Sequence, residues 1–208
     1  MKKSAFLLAM ILAGCASKPQ PPDWQPNARS ALDGFTDAWL HGDSAAADAE
    51  FARARRETAS TGRFENVAQV ELVRCAARVA SLVYDCPGYT ALAPDATPAQ
   101  QAYAAYLAGQ WQGLNAALLP EQHRAVLAAG GLAGVQDPLA RLVAAGALMK
   151  AGKITPADIA NAVDTASNQG WRRPLLAWLG VQAQRAQAAG DAAAAQQIRR
   201  RIALASEN

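Results

Sequence analysis

The side chains able to do chemistry are few and scattered. His41 and His123 are the two histidines, and a zinc site needs three or four clustered His, Cys or carboxylate ligands. Neither histidine has such company in the sequence. His41 follows a predicted helix end, where a cation interacts favourably with the helix dipole. His123 lies in Pro120-Glu121-Gln122-His123-Arg124, at a predicted helix start, and is expected to face solvent. Among the 17 Asp and Glu, Glu57, Glu65 and Glu71 could form a glycosidase pair if two of them came within about 5–10 Å. Their ordinary role on a helical protein is solvated surface charge. The chain has no Gly-x-Ser-x-Gly elbow and no dinucleotide fingerprint, and Gly130-Gly131 lacks the Lys and hydroxyl of a phosphate loop. No catalytic residue, no metal site and no cofactor are therefore expected.

One stretch is composed for contact rather than catalysis. Trp171-Arg172-Arg173-Pro174-Leu175-Leu176-Ala177-Trp178 joins the two residue types that most often anchor interfaces. They combine a large desolvated area with planar hydrogen bonding. Between 171 and 208 six Arg stand against Asp191 and Glu207, a local charge of +4. Trp171, Arg172, Arg173 and Trp178 are thus the candidate partner-binding residues, for an acidic protein or an anionic envelope polymer. The alternative puts Trp178 in the core, with Trp171 stacked across a turn between helices. Arg199, Arg200 and Arg201 point about 100° apart around a helix and make no single patch.

The third reactive position is Cys15. Lys2 and Lys3 precede an apolar run from Ala5 to Leu12, followed by Ala13, Gly14 and Cys15. A membrane span needs about 20 apolar residues, so this run reads instead as a secretory signal. Leu12-Ala13-Gly14-Cys15 resembles the lipobox of bacterial lipoproteins. The resemblance implies cleavage after Gly14, a diacylglyceryl group on the Cys15 thiol and acylation of the freed amine. Ala16 in the next position implies the outer membrane rather than retention in the inner one. One acyl chain binds a bilayer only reversibly, whereas two or three anchor it stably. Removal of residues 1–14 takes Lys2 and Lys3 with it, lowering the formal charge from +3 to +1. A nearly neutral protein has no general attraction for nucleic acid, so none is expected as a partner. Residues 15–27 read as an extended tether; the eleven from Ser17 to Asn27 carry Pro19, Pro21, Pro22 and Pro26 and reach up to about 30 Å. Trp24 within it is expected to pack on the nearest helix.

Cys75 and Cys86 are left as an even pair, and in an oxidising periplasm such a pair suggests a disulfide. Along one continuous helix their separation would be about 16 Å, against about 7 Å at most for bridged Cα atoms. A bond therefore requires the chain to double back after Leu82, where Asp85, Pro87 and Gly88 supply turn residues. Otherwise Cys75 is a buried core thiol and Cys86 is free.

The elements that must position these residues are helices. The chain has 208 residues, of which 52 are Ala, the residue with the best helix propensity. Hydrophobic residues make up 51% and charged ones 18%, which argues against disorder. Thr97-Pro98, Asp137-Pro138 and Thr155-Pro156 each set a capping side chain before proline at the first helical position. Thr155 and Asp158 form a capping-box pattern. Gly42, Gly109, Gly152 and Gly190 stand where left-handed helix ends are expected. The pattern predicts helices over 28–40, 44–58, 63–82, 98–110, 120–129, 138–151, 156–168, 174–189 and 192–205. In the third, Phe64, Ala68, Leu72, Cys75, Val79 and Leu82 form the apolar stripe. Short linkers predict antiparallel hairpins. Gly42-Asp43 with Ala47, Phe51 and Ala54 resembles the second helix of a tetratricopeptide repeat, and Gly190-Asp191 with Ala195 repeats part of it. The expectation is an all-α domain over 28–208, either a tetratricopeptide-like array or an irregular bundle.

Two functions compete on these grounds. A non-catalytic helical scaffold, anchored by lipid to the periplasmic face of the outer membrane, would hold an envelope protein partner. A cell-wall glycan-binding module or carboxylate-dependent envelope hydrolase would instead assemble acids from different helices in a groove. The anchor, the tether and the missing catalytic motifs favour the scaffold.

Overall fold

The computed structural model describes residues 21–207, so the signal segment and Cys15 lie outside the described residues. Within them the protein is all-α. The helices are α1 (Trp24–His41), α2 (Ser44–Ala59), α3 (Phe64–Ala80), α4 (Pro87–Thr90), α5 (Pro98–Leu107), α6 (Glu121–Ala129), α7 (Pro138–Lys150), α8 (Pro156–Asn168), α9 (Arg172–Ala188) and α10 (Ala192–Ala205). Short 3-10 turns lie at Ala93–Asp95 and Ala116–Leu118. No described helix is long and apolar enough to cross a membrane.

Helices start where capping side chains meet their unpaired N–H groups. Thr97 and Gln100, like Thr155 and Asp158, form complete capping boxes. Asp43, Asp137 and Asp191 accept from the backbone N–H of Ala46, Ala140 and Ala194. Gly42 ends α1 at φ 96°, its N–H turned back to Ala38 and Trp39. The first helix departs from expectation. It begins at Trp24 rather than residue 28, which shortens the tether by four residues. Pro26 is no obstacle, because first-turn N–H groups have no intrahelical partner for proline to remove.

The fold is organised around the C-terminal end of α3. This helix touches α1, α2, α4, α5 and α7, and its last turn is buried among them. A helix leaves its last four carbonyls without intrahelical partners, and burial makes each costly to leave unpaired. Here all four are met. The Trp39 indole of α1 donates to Ala77 O, and the Trp178 indole of α9 donates to Ala80 O, both at 3.0 Å. Arg78 O accepts from the N–H groups of Ser81 and Val83, and Val79 O accepts from Leu82. Leu82 sits at φ 62°, the left-handed position usually given to glycine, and there the chain reverses. Gly146 of α7 presses on the same turn: a Cβ there would overlap the Val79 carbonyl oxygen.

Alanine makes this close approach workable. Ala144, Ala145, Ala147, Ala162 and Ala166 have no exposed surface. One core joins α3 to α5 through α9; a second holds α1 and α2 against Val70 and Ala77. In the second, Ala47, Phe51 and Ala54 face inward at their repeat-like spacing, with Phe51 5.6 Å from Phe35. Successive pairs α7–α8, α8–α9 and α9–α10 pack as hairpins, but α1 also reaches α9. That contact closes the helices around α3 as a bundle. The predicted stripe on α3 fails at its ends: Phe64 is 56% exposed and Leu82 lies past the helix.

Candidate functional site

The Trp–Arg stretch is half-buried, with Pro174 and Trp178 fully inside. Trp178 has no exposed surface and belongs to the core, so it cannot serve as a partner contact. Arg173 locks α9 to the first hairpin. Its Nε donates to Trp39 O at 2.7 Å, its Nη2 donates to Ser44 Oγ at 2.8 Å, and its guanidinium lies 4.0 Å from the Trp39 ring centre. Burial, with Arg172 and Arg78 close by, holds its pKa below the usual arginine range, and Asp48 opposes this. Arg78 is also over the Trp39 ring, at 5.3 Å. Trp171 is half-buried and touches both cores. The Arg172 guanidinium stands beside Gly42. Desolvated Trp and Arg side chains do anchor an interface here, between α9 and α1. Trp171, Arg172 and Arg173 all keep partial exposure, but Arg173 is committed to Trp39 O and Ser44 Oγ, which leaves Trp171 and Arg172 as the better placed for a partner.

Cys75 and Cys86 are bonded, with Cα atoms 5.6 Å apart. The reversal at Leu82 accomplishes this, as the spacing requires. The bond fastens the segment after α3 across that helix and frames a cleft of about 410 Å³. Its walls include Leu72, Cys75, Tyr84, Cys86 and Tyr89, and its third side is α5. There Ala104, Ala105 and Ala108 offer no bulk to fill it. Among the described residues no Asp, Glu, Lys, Arg or His lines it; Thr90, Gln101 and Gln110 supply the exposed polar edge. Tyr84 donates to Gly146 O at 3.1 Å, and burial pushes its pKa up to about 12. Tyr89 is 7% exposed and its buried hydroxyl has no hydrogen-bond partner among the described residues. Such a lining suits an uncharged, mainly apolar group with some hydrogen-bonding capacity.

A second depression, about 660 Å³, runs along α1 and α3. Trp24, Ala28 and Leu32 form one wall and Val70 and Val73 the other, with Pro21 at one end. Arg29, Asp33, Asn66 and Gln69 also border it.

The remaining chemical candidates are accounted for by packing. His123 is 1% exposed, against the expectation of a solvated side chain. Tyr106 OH lies 3.3 Å from its Nδ1, and the Tyr103 ring is stacked at 5.6 Å. Burial lowers the His123 pKa to about 4, with Asp137 pulling weakly the other way. His41 contacts Asp37 at the end of α1. Glu71 is 4% exposed, held by Arg55 at 3.0 Å and covered by Gly88. Glu65 pairs with Arg63 at 3.0 Å, and Glu57 is half-buried on α2. Neither Glu57, Glu65 nor Glu71 lines the disulfide cleft. Among the described residues no group of three or more His, Cys, Asp or Glu could hold a metal ion.

No family model, curated protein or solved structure matches the chain. The disulfide cleft escaped sequence reasoning, although its signal was present. A Cys75–Cys86 bond demands a reversal, and the reversal carries Tyr84 and Tyr89 back over α3, opposite an α5 rich in alanine.

Proposed function

We propose that this protein is a lipid-anchored, non-catalytic helical adaptor on the periplasmic face of the outer membrane, and that it holds an envelope protein partner. The observation that carries this reading is the cleft framed by the Cys75–Cys86 bond. A disulfide of this kind persists in an oxidising compartment, in agreement with the signal and lipobox-like segment. Its uncharged, tyrosine-lined space is of a size to receive apolar anchor side chains, which dominate binding energy when buried in a pocket. Trp171 and Arg172 offer a secondary contact at the α1–α9 seam. The Cys15 lipid and a short Pro-rich lead would hold this body near the bilayer.

The test is crosslinking in living cells from photoreactive residues placed at Gln101 and Thr90, both exposed and both lining the cleft. One dominant protein adduct, lost on substituting Ala105→Trp to fill the space, supports the adaptor. Adducts dominated by wall glycan favour a glycan-binding module instead, since tyrosine rings and glutamine amides also suit sugars. The absence of any specific adduct at both positions argues against either binding role for this cleft.

A further inference from the structure

We propose that the α1/α3 groove is the seat of an acyl chain carried by Cys15 while the protein is in water. The inference rests on the proposed lipidation of Cys15. Its first support is position. Pro21, the first described residue, lines one end of the groove, and Cys15 lies six residues before it in sequence. That stretch reaches about 20 Å at most when extended, so an acyl chain on Cys15 is held close to the groove by the polypeptide itself. Tethering at this distance makes the encounter intramolecular, and short links give high effective concentrations.

The second support is the lining. Val70 at 2% exposure and Ala28 at 4% are buried beneath the groove, while Trp24, Leu32 and Val73 are only half-buried. These are apolar surfaces left partly wet by the fold, in a space of about 660 Å³ between two helices. Apolar contact with water is unfavourable for both the groove and the methylenes of a lipid, and each covers the other. A bilayer satisfies the methylenes equally well. The groove therefore covers one of the chains on Cys15 in water and releases it on insertion, a switch set by the surroundings and requiring no change of fold.

The experiment uses the full-length protein from cells fed palmitic acid with a terminal diazirine. It is purified, freed of detergent, irradiated, digested and mapped by mass spectrometry. The expected result is label on Cys15 in a monomer, with intramolecular crosslinks to peptides containing Trp24, Leu32 or Val73. Leu32→Gln and, separately, Trp24→Gln should each lower those crosslinks at least tenfold while far-UV circular dichroism and the Cys15 label stay unchanged. In vesicles the crosslinks should move to phospholipid. Label on Cys15 with crosslinks only between copies, or only to co-purified lipid, would overturn the groove assignment and leave the anchor intact. No label on Cys15 would remove the anchor and the groove's occupant together.

Discussion

Replacing Gly146 by Ala sets two physical effects of opposite sign against each other. Gly146 lies inside α7 with ordinary helical geometry, and alanine in a helix interior is favoured over glycine by roughly 1 kcal/mol. Propensity alone therefore predicts stabilisation. The fold predicts the reverse. An added Cβ would overlap the Val79 carbonyl oxygen and lie 2.8 Å from Val79 Cγ1 and 2.9 Å from Val79 C. Comfortable carbon–carbon contact begins near 3.5 Å, so α3 and α7 must part by more than half an ångström. Overpacking of this kind costs about 1–3 kcal/mol. Separation would also strain the Tyr84 hydrogen bond to Gly146 O and the Trp178 bond to Ala80 O, each at or near 3 Å. The net expectation for Gly146→Ala is a loss of about 1–3 kcal/mol. Gly180→Ala provides the control: it lies inside α9 with nothing within 4 Å of the new methyl, and should gain up to about 1 kcal/mol. Urea titration followed by far-UV circular dichroism measures both, and unchanged m-values make the midpoints comparable. If Gly146→Ala matches Gly180→Ala in sign, the close approach of α7 to the end of α3 is wrong.

Other perturbations probe the remaining parts of the account. His123 has its pKa lowered from 6.5 to about 4 by burial, so the unfolded chain binds the extra proton first as pH falls. Its contribution is fully present above about pH 6.5 and is lost as pH drops toward 4, with about 2 kcal/mol gone by pH 5; His123→Phe should flatten that part of the stability–pH curve. The Cys75–Cys86 bond spans a sequence separation of 11, for which loop closure predicts about 2.5–3 kcal/mol; the double Ser variant should lose that much and become indifferent to reductant. Tyr89→Phe removes a buried hydroxyl that has no partner among the described residues and should hold or raise stability, by up to about 1 kcal/mol. Tyr84→Phe deletes a bond to Gly146 O and should lose about 1 kcal/mol; thermal melts compare the two.

Helix positions were readable because local chemistry specifies them. Thr97, Asp137 and Thr155 cap where they were expected to, and Gly42, Gly109, Gly152 and Gly190 all take positive φ. The misreadings at His123, Arg173 and Trp178 share one cause, tertiary burial acting on residues that local pattern treats as surface. His123 has a polar neighbourhood in sequence, yet tyrosine rings from α5 enclose it. Arg173 and Trp178 have the composition of a partner interface, and they make one within the chain, against Trp39 and the end of α3. Nothing local announces that two indoles cap α3, because the carbonyls they meet are 38 and 98 residues away. The start of α1 was masked by Pro26, a residue that ends helices everywhere except in their first turn.

Adaptor and groove alike depend on where the chain is cut and what it then carries. The decisive measurement is the intact mass of the protein from the outer-membrane fraction of its host, together with the mass of its N-terminal peptide. The account predicts a chain beginning at Cys15 and bearing a diacylglyceryl group with a further acyl chain, the rest unmodified apart from the loss of two hydrogens in the Cys75–Cys86 bond. An unlipidated chain recovered in the soluble periplasmic fraction, cut at some other residue, would contradict it.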